Sequence, residues 1–228
     1  MIACAKTLLR GDASEIAAWL ATFDGRRAMH CALWISLGCG IYGATVGLWR
    51  APLQAAFTAL KFPLLIFLTC AGNAVLNGML AQLFGSGLSF RQTSLAILMS
   101  FATAAIVLGA LSPLTLFVLH NTPPLGSGAA RTGHSVMLLT HVGLIAYAGA
   151  LANQRLLRLL EKMSDSRAIA RRVLLSWLAG NLFLGAQLAW TLRPFIGSPN
   201  LAVQFLRDDP LRGNFYEAVW RAAGHLFF

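Results

Sequence analysis

Residues 28–48 read AMHCALWISLGCGIYGATVGL, with Arg26-Arg27 before them and Trp49-Arg50 after. The stretch contains no Asp, Glu, Lys or Arg. About 20 mostly apolar residues in a helix cross the ~30 Å hydrocarbon layer of a bilayer. This stretch therefore predicts a membrane-spanning helix. Four more follow: Pro63 to Phe84, Gln92 to Leu111, His134 to Leu151 and Val173 to Leu192. Beyond the third, Pro113 lacks the amide that would continue the ladder without a kink. Leu114 to Leu119 is still apolar, so the third span is expected to be long and bent, ending at His120-Asn121.

Composition agrees. Apolar residues make up 57% of the 228 and charged residues 11%. A soluble domain carries about 25% charged residues, so this chain could not cover its own surface in water. Disordered chains are polar, and four cysteines do not make a disulfide scaffold. The fold class expected is all-α: a polytopic membrane protein, a bundle of about five transmembrane helices with interfacial amphipathic helices. Its parts are an N-terminal interfacial segment (1–27), a transmembrane domain (28–192), and a C-terminal turn and helix (193–228).

Asp12 and Glu15 interrupt the N-terminal segment, which argues against a cleavable signal. Their spacing is that of a capping box. Ile16, Leu20 and Phe23 then share a helical face, which predicts a short helix on the membrane surface. Asn214 and Glu217 have the same spacing near the other end. There Phe215, Val219, Ala222 and Leu226 form an apolar stripe opposite Glu217, Arg221, Gly224 and His225. That helix is too short to span and is expected at the interface or against the outer ends of the spans. Arg193 to Asn200 (RPFIGSPN) is rich in the residues that turns need.

With the N-terminus inside, the inner segments hold 11 Lys+Arg and the outer ones 7. The positive-inside rule favours that orientation. The localisation expected is a bacterial inner membrane, multi-pass, with the C-terminus outside. Most of the inner charge is in one loop: Arg155, Arg158, Lys162, Arg167, Arg171 and Arg172, against Glu161 and Asp165. The leucines of RLLRLLEKM (155–163) suit the interface, with the basic heads reaching toward lipid phosphate. The loop either fixes topology alone or faces anionic lipid or an acidic partner.

Gly38 to Gly43 matches the GxGxxG dinucleotide pattern, but that chemistry needs a strand before the glycines. Gly43 and Gly47 instead make a GxxxG pair, and Ser36 with Gly40 makes another small pair. Gly38, Gly40, Gly43 and Gly47 are read as helix-packing residues, within the chain or with another subunit. Asn73 and Asn77 share one face of span two, and span five carries Asn181 and Gln187. Amides are costly in hydrocarbon and face the bundle interior. They serve either interhelical hydrogen bonds or a polar path.

No Asp or Glu falls within a proposed span, which argues against proton or cation coupling. His120, His134 and His141 are weak metal or haem candidates. His134 and His141 are ~10 Å apart along a helix, too far to share one ion. Cys31, Cys39 and Cys70 fit as small buried hydrophobes. No HExxH, GxSxG or phosphate-binding GxxxxGK[ST] occurs. No metal or cofactor and no enzymatic activity are expected, and the basic pI reflects lipid-facing loops rather than nucleic acid.

Two resemblances accompany these residues. Tyr42-Gly43 through Leu53-Gln54, ALKFPLL (59–65), ALSP (110–113), AWTLRPFIGSP (189–199) and GNFYE (213–217) resemble a family of uncharacterised bacterial multi-span membrane proteins, over about residues 40–220. That resemblance implies no activity. More loosely, five spans and the Lys-Phe-Pro run are similar to the Yip family of membrane-trafficking proteins. Its Asp-Leu-Tyr-Gly-Pro motif is missing, and no functional residue carries over.

The function expected is a non-enzymatic accessory or scaffold subunit of a larger membrane complex. Its partners would be the lipid bilayer and other membrane subunits or a second copy. The alternatives are a small permease or lipid carrier with an amide-lined path, and a haem- or quinone-binding subunit.

Overall fold

The computed structural model describes residues 1–22 and 24–227, and Phe23 of the predicted surface helix lies outside them. All regular structure among the described residues is helical. Five helices are long and apolar enough to cross a membrane: α3 (Gly25–Leu48), α4 (Pro52–Leu83), α5 (Phe90–Ala110), α7 (Ala130–Met163) and α8 (Arg167–Thr191). Before them come α1 (Ile2–Arg10) and α2 (Ala13–Ala21). The short α6 (Ser112–His120) follows α5, and α9 (Phe215–Phe227) closes the described chain.

Local chemistry sets most ends. Asp12 Oδ1 accepts from the Ser14 and Glu15 amides and starts α2. Those two amides hold its carboxyl below the usual carboxylate range. The reciprocal half of the predicted box does not form, because Glu15 Oε1 accepts from Thr7 of α1 instead. Asn214 Oδ1 accepts from the Glu217 amide at the start of α9. A full capping box, Ser89 with Gln92, starts α5. The third span bends at Leu111, where α5 ends and Pro113 restarts the chain as α6.

The second span is where the sequence reading falls short. The apolar run predicts a start at Pro63, yet α4 begins at Pro52, and Pro63 lies inside it. Proline is well placed at the first helical position, where its missing amide loses nothing. The helix therefore includes Gln54, Thr58 and Lys61, and all three are fully buried. A charged loop residue in the sequence is an interior residue in the fold.

α3 packs against α4 on one side and α5 on the other, α8 lies on α4, and α7 on α5. Ile35, Cys39, Tyr42, Met137, Val173 and Trp177 are core side chains. Cys31, Cys39 and Cys70 are buried and unbridged, as expected.

The N-terminal segment corrects a second expectation. It folds as two helices, and their apolar faces turn inward to the protein. Leu8, Ile16 and Leu20 are buried in the core cluster rather than presented to lipid. Leu156, Leu159 and Leu160 of the predicted lipid-facing run are buried as well, where α2 packs along α7. The predicted stripe of α9 holds: Ala222 is buried and Phe215, Val219 and Leu226 are half-buried, while Glu217, Arg221 and His225 are exposed. α9 rests on α7 and α8, at the opposite end of the bundle from α1 and α2.

Candidate functional site

Five groups of residues carry polar or packing chemistry, and the fold treats each differently. The glycines of α3 are consumed inside the chain. A Cβ at Gly38 would run into the Ala105 carbonyl of α5. One at Gly43 would lie 2.5 Å from the Thr58 carbonyl, and one at Gly47 2.5 Å from the Gln54 carbonyl, both on α4. Gly40 is looser, 3.6 Å from the Ala59 carbonyl. Gly38 also meets Gly109, whose Cβ position is 2.9 Å from its Cα. Gly109 has a small partner four residues away in Ala105, a pair the GxxxG pattern does not include. Gly38, Gly43 and Gly47 thus join α3 to α4 and α5, while Gly40 is half-buried and Ser36 of its pair is exposed.

The amides separate. Asn73 and Asn77 are fully buried on α4, facing α8. A Cβ at Gly180 of α8 would lie 3.4 Å from Asn73 Oδ1 and 3.7 Å from Asn77 Oδ1. Asn73 Nδ2 donates to the Thr69 carbonyl, and Asn77 Nδ2 makes a long 3.5 Å bond to Asn73 Oδ1. Asn181 faces the other way, into a cavity of about 50 Å³ between α5, α7 and α8 that Trp177 also lines. Gln187 is exposed on α8. The four do not line one path.

The basic inner loop is partly used. Arg155 Nη1 donates to the Leu8 carbonyl, and its stem lies against Gly11, so it holds α1 rather than lipid. Gly11 takes φ 65°, which ends α1 in the left-handed conformation that favours glycine. Lys162 Nζ donates to Ser14 Oγ at 2.6 Å. Arg158, Arg167, Arg171 and Arg172 stay exposed. At the same end, Cys4 of α1 interacts with the Cys31 thiol. That neighbour, the amino terminus and Arg27 pull the Cys4 thiol below its ordinary value, against the raising effect of burial.

The histidines do not converge. His120 is exposed at the end of α6. His134 sits beside Trp49, with ring centroids 6.0 Å apart. His141 is buried, its Nδ1 2.8 Å from the Tyr42 hydroxyl. Among the described residues no group of three His, Cys, Asp or Glu side chains is placed to hold a metal ion.

The group that sequence reasoning missed is the dock between α4 and the RPFIGSP segment. Gln54 Nε2 donates to the Pro194 and Phe195 carbonyls at 2.9 and 3.0 Å. Thr58 Oγ1 lies 2.7 Å from the Phe195 carbonyl. Lys61 Nζ donates to the Pro194 carbonyl at 2.9 Å and lies 4.8 Å from the Phe205 ring centre. A carbonyl and an aromatic face thus receive a charge that has no carboxylate within ion-pair range among the described residues. Phe195 packs edge-on against Phe62, which packs edge-on against Tyr42. Arg193 then gathers the rest of the tail, donating to the carbonyls of Trp190, Asp209, Pro210 and Arg212. Its guanidinium lies 4.1 Å from the Trp190 ring centre. The signal was Gln54-x-x-x-Thr58-x-x-Lys61 on one helical face, hidden because the segment was read as a loop.

No family model matches the chain, and no curated protein or solved structure gives a significant match.

Proposed function

We propose that this chain is a non-enzymatic accessory or scaffold component of a membrane complex. The observation that carries the reading is the dispersal of the intramembrane polar groups. Asn73 and Asn77 are sealed between α4 and α8, Asn181 faces a cavity of about 50 Å³, and Gln187 points out of the bundle. A permease would need such groups strung along a continuous route. With Gly38, Gly43 and Gly47 packed inside the chain, the expected contacts move to the ends of the bundle. One end offers Arg158, Arg167, Arg171 and Arg172, suited to anionic lipid or an acidic partner. The other offers the docked tail.

Mild-detergent purification of the tagged chain from its own membranes, with mass determination of what travels with it, tests the reading. A stoichiometric set of other subunits supports it. A lone protein, or a homo-oligomer carrying only lipid, overturns it in favour of a permease or lipid carrier. One observation favours that rival: Asn77 Oδ1, Asn181 Oδ1 and Trp177 Nε1 are buried without a protein partner. Asn77→Leu separates the two. If the amide is structural, unfolding shifts by no more than about 1 kcal/mol, the usual scale of interhelical amide bonds, and the co-purifying set is unchanged. A rise in stability with loss of solute flux into vesicles would instead make Asn77 a path residue.

The proposed setting is a bacterial inner membrane with the N-terminus inside, consistent with the family resemblance and with the charge tally. Five spans then put the tail outside. A reporter enzyme fused after Phe228 is expected to be active only on the outer side, and an inner signal would reverse the orientation.

A further inference from the structure

At the tail end of the bundle lies a cleft of about 570 Å³ to which, of the groups above, only His134 and the end of the RPFIGSP segment contribute. Its walls are the first turn of α7 with the loop before it, the Ser198–Asn200 turn and the outer face of α9. Arg131, His134 and His225 line it, together with the hydroxyl-bearing Ser127 and Ser198 and the Asn200 amide. Among the described residues that line it there is no Asp or Glu. Three nitrogen-rich side chains from two helices therefore converge without a counter-charge. Arg131 and His225 are exposed, and His134 is half-buried.

The wall opposite is held in place. Arg50 Nε donates to the Ser198 carbonyl and its Nη2 to the Leu201 carbonyl, both at 3.1 Å. The cap position of α7, Ala129, has no side chain to satisfy the first amides of that helix, so the partial positive charge of the helix start faces the same space. Every tautomer of an imidazole keeps at least one N–H donor, and guanidinium donors match the geometry of phosphate oxygens. The volume is that of a small-molecule site. Trp49 lies beside His134 and donates from Nε1 to the Pro123 carbonyl. A tryptophan there suits the headgroup level of a bilayer.

We propose that this cleft binds a phosphate group, with Arg131 as its principal charge partner and His134 and His225 as further donors. The phosphate belongs either to a lipid headgroup or to a soluble phosphate. The proposal does not depend on whether the chain has partner subunits.

The test uses the full chain in neutral detergent and two probes, inorganic phosphate by titration calorimetry and phosphatidylglycerol by native mass spectrometry. Saturable binding of at least one is expected, with Arg131→Gln weakening it roughly tenfold, the scale of one hydrogen bond to a charged group. His225→Gln should weaken it in the same direction. Lys6→Gln, exposed on α1 at the opposite end of the bundle, should leave it unchanged. Response to phosphate assigns a soluble ligand, and response to the lipid alone assigns a headgroup. The proposal is overturned if neither probe binds saturably. It is equally overturned if Arg131→Gln binds like the parent chain, or if Lys6→Gln weakens binding as much. Arg131 and His225 are exposed, so an unfolding midpoint matching the parent chain confirms that the variants are folded.

Discussion

Gly38→Leu is expected to lower the unfolding free energy by about 3 kcal/mol and to cut the yield of monodisperse protein in detergent. Helices in a bilayer gain little from apolar burial, since lipid tails are as apolar as leucine, and they associate largely through close packing. α3 and α5 achieve that at Gly38, where the first added carbon collides with the Ala105 carbonyl and Gly109 closes from the next turn. Backbone cannot rotate away as a side chain can. The helices must separate, and the tight contact along the seam is lost with them. Overpacking of this kind costs about 1–3 kcal/mol and occasionally more. Leucine is itself a better helix former than glycine, so the loss would not come from propensity. Gly143→Leu is the matched control, because nothing lies within 4 Å of its Cβ position on α7. Equal thermal stability of the two variants would refute the seam.

The double substitution Gln54→Leu with Lys61→Met should free the tail without unfolding the bundle. It removes both donors to the Pro194 carbonyl and one of the donors to Phe195. A buried carbonyl left without a partner costs about 1–3 kcal/mol, and a hydrogen bond from a charged donor contributes about 1.5–3 kcal/mol more. The expected total is about 3 kcal/mol, concentrated on the docked segment. Limited proteolysis reads it directly. Cleavage should rise at least tenfold between residues 193 and 213, while the five spans stay protected and the helical content is kept. Met preserves most of the Lys61 stem, so the packing against Phe195 and Phe205 is largely retained. Unchanged cleavage would mean that the aromatic contacts alone hold the tail, with Phe195 on Phe62 as the main anchor.

The two variants probe different kinds of information. The place of Gly38 in a small-residue pattern was visible along the chain. Whether its partner was a neighbouring helix or another subunit was not, because either surface would use the same spacing. Lys61 is the sharper case. Read along the chain, it is a charge bordering a span, and charges border spans because hydration favours them there. In the fold it is fully buried, because the tail returns over 130 residues later to supply Pro194 and the Phe195 and Phe205 rings. Arg155 behaves alike: a basic residue of a lipid-facing loop by position, it becomes the clasp that holds α1.

Hydropathy, the Pro113 break and capping settle the number of spans, the bend near Leu111 and the starts of α2 and α9, though not the start of the second span, because each depends on side chains within a few turns of one another. The sealing of the glycine face, the scattering of the four amides and the docking of RPFIGSP depend on which surfaces meet. Those pairings join residues far apart in the chain, and only the packed bundle decides them.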